Sequence, residues 1–173
     1  NSYLSNMDKS RNSNPRDLSA QSKDDDISVV HGAEGEKALT LINQGKLSEA
    51  EIIYRELIAA GSKSHIVYGN LGCLLKVKGD MEQSIICLKK AIQYKPSYAN
   101  AHYNLGVALK EQGELTAAIA SYKTALKLKP NYPQAHNNLG IALKEQGDVN
   151  EAIISFENAL QLNPNLPEVH VNL

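Results

Sequence analysis

The stretch that decides the fold is "AHYNLGVALKEQG" at residues 101–113, which returns as "AHNNLGIALKEQG" at 135–147. The offset is 34 residues, and over 99–132 and 133–166 more than half of the positions match. Residues 65–98 follow the same template more loosely, and 31–64 more loosely still, with Ala38, Gly45, Ala50 and Tyr54 in phase. A fixed period of this length signals stacked supersecondary units, each able to bury its apolar face only against its neighbours.

Within a unit the period is helical. His102, Leu105, Gly106 and Leu109 recur at i, i+3, i+4 and i+7, one face of an α-helix. Ala118, Tyr122 and Ala125, joined by Leu115 and Leu126, form a second face. Gly113 lies between them, where a left-handed residue commonly ends a helix, and Pro130 stops the second helix. Each unit is thus predicted to be two antiparallel helices. A mid-helix glycine at 106 costs about 1 kcal/mol relative to alanine, and close helix contact would offset it. The expected partners are small: Ala118 for Gly106, Ala152 for Gly140, Ser84 for Gly72 and Ala50 for Ala38.

Leu105, Gly106, Gly113, Ala118, Tyr122, Ala125 and Pro130, repeated as Leu139, Gly140, Gly147, Ala152, Phe156, Ala159 and Pro164, resemble the tetratricopeptide repeat. The resemblance covers about 31–173. It is degenerate in the first unit, where Leu57 stands at a usually small position and Ser62 replaces the proline. It implies an all-α, right-handed superhelix of about four helix pairs (31–64, 65–98, 99–132, 133–166), with 167–173 opening a fifth. It also implies a concave groove, lined by the first helices, that takes an extended peptide or protein segment. The "AHYNLG" and "AHNNLG" runs are most similar to the superhelical arm of O-linked N-acetylglucosamine transferases and to bacterial multi-repeat proteins.

Asn70, Asn104, Asn138 and Asn172 share one phase. Asn100 and Val107 share a helical face with Asn104, and Gln134 and Ile141 with Asn138, away from the Leu/Gly stripe. A side-chain amide offers one acceptor and two donors, a match for an extended backbone. In the arm that the chain resembles, asparagines at this phase form such a ladder. The competing role is a bridge to the neighbouring helix, and both can hold at once. Tyr103 and Asn137 adjoin the row and complete the expected groove together with Lys76, Lys110 and Lys144. Those lysines are expected on the exposed side of each first helix, either as a solvated face beside Glu111 and Glu145 or as a ridge favouring acidic segments. A carboxylate clamp of the family type would need basic residues where Asn100, Gln134, Asn104 and Asn138 stand.

Other chemistry is expected to be absent. A formal charge of −1 and a pI near 6.6 supply no field for nucleic acid. No apolar run approaches the roughly 20 residues of a membrane span. His102, His136 and His170 recur at one phase, but stacked helices lie about 8–10 Å apart, too far for imidazoles to converge on one metal ion. They read as packed, half-buried rings. Cys73 and Cys87 lie on different helices with no histidine or acid at helical spacing. Two thiols make no disulfide framework, so a reducing, cytoplasmic setting is expected. No nucleophile, phosphate-loop or metalloprotease motif occurs, and neither cofactor nor catalysis is expected.

Residues 1–30 are rich in Ser, Asn, Asp and Lys, with an acidic run at Asp24–Asp26. The composition reads as a linker, with a short helix started by Pro15 over about 15–22 and docking on the array as the alternative. The chain opens on Asn and stops inside a repeat, which reads as a piece of something longer. Three functions stay open: a non-catalytic binding array, the recognition arm of a larger glycosyltransferase or methyltransferase, and a self-assembly module whose groove takes another copy's tail.

Overall fold

The computed structural model describes residues 28–172. The polar segment 1–27, with the short helix expected over 15–22, and Leu173 lie outside the described residues. Described elements are all helical: α1 (Ser28–Asn43), α2 (Leu47–Ala59), α3 (His65–Val77), α4 (Met81–Tyr94), α5 (Ala99–Glu111), α6 (Leu115–Leu128), α7 (Pro133–Gln146), α8 (Val149–Leu162) and α9 (Pro167–Asn172). They form a right-handed superhelix of four antiparallel pairs, with α9 opening a fifth.

One turn chemistry closes every pair. Gly45, Gly79, Gly113 and Gly147 adopt φ of 78°, 88°, 83° and 101°, a region that L side chains resist. After α5 the backbone N–H of Gly113 donates to the Lys110 carbonyl (2.9 Å), and that of Glu114 to the Leu109 carbonyl (2.9 Å). Asp80 to Leu75 and Asp148 to Leu143, both 2.9 Å, repeat the second bond. This is the double closure that caps a helix C-terminus through a left-handed residue. The degenerate end of the first pair is resolved the same way. Where Pro96, Pro130 and Pro164 follow the later pairs, Gly61 (φ 91°) ends α2 and Ser62 N–H bonds the Leu57 carbonyl at 3.0 Å.

Packing within a pair corrects one expectation. Ala118 is buried, but a Cβ on Gly106 would strike the Tyr122 ring at 2.7 Å. A Cβ on Gly140 would strike the Phe156 ring at 2.6 Å, and one on Gly72 would meet Leu88 Cγ at 2.7 Å. The glycines therefore seat a large side chain, and at Gly72 the expected Ser84 is close as well, its backbone oxygen 3.3 Å from such a Cβ. In the second pair Ser84, fully buried, adds a hydrogen bond from Oγ to the Gly72 carbonyl at 2.6 Å.

Between pairs, α3 touches α5, α5 touches α7 and α7 touches α9, whereas α4, α6 and α8 make no comparable contact with one another. The first helices thus form the inner layer of the curve. No helix among the described residues is long and apolar enough to cross a membrane.

Candidate functional site

The inner layer carries the expected groove residues, and its polar groups are tied from one first helix to the next. Lys76 Nζ donates to Asn104 Oδ1 at 3.1 Å, and Asn104 Nδ2 donates to the Asn100 carbonyl at 2.9 Å. Asn138 Nδ2 donates to Tyr103 Oη at 3.0 Å, and Asn172 Nδ2 to Asn137 Oδ1 at 3.1 Å. Lys144 Nζ reaches the Asn172 carbonyl at 3.1 Å, and Lys110 pairs with Glu145 at 3.0 Å. Three of the four in-phase asparagines therefore bridge neighbouring helices. Asn70 is the exception, with no hydrogen bond from its amide to a described residue.

Burial along the row is uneven. Asn70 and Asn104 are buried, at 5% and 4% exposed, whereas Asn138 and Asn172 are half-buried. Asn100 and Gln134 are also half-buried, and their side-chain amides make no bond to a described residue. The expected exposed lysine ridge is corrected at its first member. Lys76 is 9% exposed, Lys110 half-buried and only Lys144 exposed. An interior repeat covers the lysine stem with the next first helix, while α9 is too short to cover Lys144.

Tyr103 lies at the centre of this layer, 3% exposed, with its ring centroid 4.8 Å from Tyr132 and 6.1 Å from Tyr122. Burial pushes its phenol up to about 12, against the lowering effect of the Asn138 hydrogen bond. Tyr98 occupies the matching place one unit earlier, where a Cβ on Gly69 would meet its ring at 2.8 Å. The linker tyrosines thus wedge against the preceding first helix, a role that the sequence reading missed, although their 34-residue spacing was visible.

The in-phase histidines have a structural employment of their own. Nε2 of His102, His136 and His170 bonds the carbonyl of Pro96, Pro130 and Pro164 at 2.8, 3.0 and 3.1 Å. A carbonyl only accepts, so each ring donates from Nε2. Each histidine ties the linker before its helix, six residues back, a spacing also legible in the sequence. His102 and His136 are half-buried, while His170 is exposed. Among the described residues no group of three or more His, Cys, Asp or Glu could hold a metal ion. Cys73 and Cys87 are both buried and neither is in a disulfide, and burial pushes the Cys87 thiol up, away from the reactive thiolate.

This geometry, with paired helices, a seated ring and an inner polar layer, is matched in sequence. The family model for the TPR repeat matches residues 72–113 and 108–147, and that for the tetratricopeptide repeat matches 133–166. The chain belongs to the tetratricopeptide-repeat family. Comparison with curated proteins gives no match. Among solved structures, the crystal structure of MamA is 25% identical with a TM-score of 0.73, covering 80% of this chain and 81% of that one. YrrB, a TPR protein with an unusual peptide-binding site, is 17% identical with a TM-score of 0.73, covering 84% of this chain and 75% of that one. Pseudomonas aeruginosa pilF is 22% identical with a TM-score of 0.75, covering 82% and 64%. At these identities the last two show a shared fold. A tetratricopeptide array is in general a protein-interaction scaffold, and that is the class of this chain.

Proposed function

We propose that the array is a non-catalytic scaffold that holds an extended peptide or protein segment in its concave groove, in a cytoplasmic setting. One observation carries the reading: the inner layer presents side-chain amides whose bonding capacity the fold leaves unused. Asn100 and Gln134 are half-buried and bond no described residue. Asn138 commits Nδ2 to Tyr103 and keeps its carbonyl oxygen. Amides spaced along one face match the alternating donors and acceptors of an extended backbone, so recognition accumulates across repeats and depends little on ligand side chains.

The test is selection of a displayed library of random peptides, about twelve residues long, on the full chain, followed by affinity measurement. Changing Asn100 and Gln134 together to Ala removes two amides that hold nothing else in place. At about 0.5–1.5 kcal/mol net per hydrogen bond, affinity for a selected peptide falls about tenfold, with the melting temperature unchanged. Unchanged affinity, or failure to select any peptide, overturns the reading.

A further inference from the structure

Charge is sorted by edge in the middle of the array. The acidic residues of the second and third pairs are Asp80, Glu82, Glu111 and Glu114, all beside the turns at Gly79 and Gly113. None occurs over 83–110 or 115–144. Lys89, Lys90, Lys95, Lys123, Lys127 and Lys129 gather instead along the outer helices α4 and α6 and the linkers that follow them. Lys89 and Lys90 lie three and four residues after the exposed Ile86, hence on its outward face.

Among the described residues, Lys123 alone of these lysines has a carboxylate partner, Glu151 at 3.4 Å, with both side chains more than half exposed. Lys90 and Lys129 stand over the rings of Tyr94 and Tyr132, 5.2 and 4.5 Å from the centroids. Lys89, Lys95 and Lys127 make no ion pair with a described residue. A helix C-terminus favours cations, which accounts for Lys127 in the last turn of α6. It does not account for Lys89, Lys90 and Lys123, which lie further in, nor for α2 and α8, whose last turns hold no base. Like charges left unpaired on one face repel, and an anionic partner relieves that repulsion.

Two features choose the partner. The patch is lysine throughout, since the arginines of the chain are Arg11, Arg16 and Arg55. It therefore lacks the planar fork that reads a single phosphate, carboxylate or base. Flexible ammonium groups suit a continuous anionic surface instead. Apolar side chains also stand out to solvent within the patch: Leu128, between Lys127 and Lys129, is 41% exposed, and Ile86 is 53% exposed. Lysines beside exposed apolar groups are the means by which a protein lies on a lipid interface without crossing it.

We propose that the outer face of α4 and α6 docks the array on an anionic lipid surface. The lysines meet the charged headgroups, and Ile86 and Leu128 enter the boundary beneath them. The inner layer then faces away from the bilayer and the groove stays open, so the inference does not depend on what the groove binds.

Flotation of the full chain with vesicles tests it, using phosphatidylcholine alone and phosphatidylcholine with about one-third phosphatidylserine. The chain floats with the anionic vesicles and not with the neutral ones, and rising salt releases it. Lys89→Gln with Lys127→Gln weakens this binding about tenfold. Lys37→Gln with Lys46→Gln, exposed positions of the first pair, changes the net charge equally and leaves binding intact. Leu128→Ser also weakens binding, which a purely electrostatic contact would not show. The changed side chains are all exposed, so the fold is kept, and thermal unfolding checks this. Equal binding to neutral vesicles, equal losses in the two double variants, no effect of Leu128→Ser, or binding to duplex DNA without binding to vesicles overturns the inference.

Discussion

At the scale of single residues, one residue type at one phase does different work in successive units. Asn104 lies between the Lys76 ammonium and the Asn100 carbonyl, while Asn70 holds no described partner. The two positions therefore respond differently to the same change. Asn104→Ala strips a buried cation of its one bond and costs about 1–3 kcal/mol. Asn70→Leu replaces an amide that bonds no described residue by hydrocarbon of similar size and is expected to cost less. Urea unfolding of the two variants side by side checks the contrast, and equal losses would refute it. The asparagine phase was legible in the sequence because phase alone sets which face a helical residue takes. The inward turn of Lys76 was not, because it depends on the next first helix covering the lysine stem. Glu51 adds a pH dependence. Hydrogen bonds from Lys78 (2.6 Å) and Arg55 (2.8 Å) hold its carboxyl below the usual carboxylate range. A depressed folded value means stability that is present above the unfolded value near 4.5 and lost as pH falls through the folded one. Glu51→Gln is expected to flatten that part of the stability–pH curve, measured by thermal unfolding from neutral pH down to acid.

At the scale of helices, the decisive contacts join a glycine to a ring. The sequence showed that Gly106 and Gly140 needed close approach, since nothing else offsets a mid-helix glycine. It did not show what approached, because residues 118 and 122 lie on the same face and only the side-chain direction separates them. Tyr122 and Phe156 are each 1% exposed, so neither ring has room to withdraw from a new methyl group. Gly140→Ala gains about 1 kcal/mol of helix propensity but overpacks the core by about 1–3 kcal/mol. A net loss of stability is the expected outcome. Gly69→Ala meets Tyr98, which is half-buried and sits in a linker, so it is tolerated better. Melting temperatures of the two variants decide the matter; a Gly140→Ala protein as stable as the parent would show that the ring shifts freely.

At the scale of the whole molecule, exposure of apolar residues separates a property of the outer face from a property of the end. Ile52, Ile86 and Ile154 share a phase and are 57%, 53% and 56% exposed, so their exposure does not depend on position in the array. Ile153 is different: its in-phase counterparts Ile85 and Ile119 are 8% and 7% exposed, whereas Ile153 is 40% exposed. Val149, at 53% exposed, likewise follows half-buried Met81 and Leu115. What covers those counterparts is the next pair, and after α8 only α9 follows among the described residues. The same face is not bare throughout: Phe156 is 1% exposed in a core that also holds Val169 of α9. Half a pair therefore seals the inner part of the end and leaves its outer part open. An apolar end that stacks naturally on another helix pair favours association between copies. Sedimentation across a wide concentration range is expected to show oligomers in this chain and monomers in Ile153→Glu. Ile86→Glu, an equally drastic change on the outer face, is expected to leave the oligomers in place. Monomers throughout would refute end-to-end association, and oligomers abolished by Ile86→Glu but not by Ile153→Glu would move the contact to the outer face.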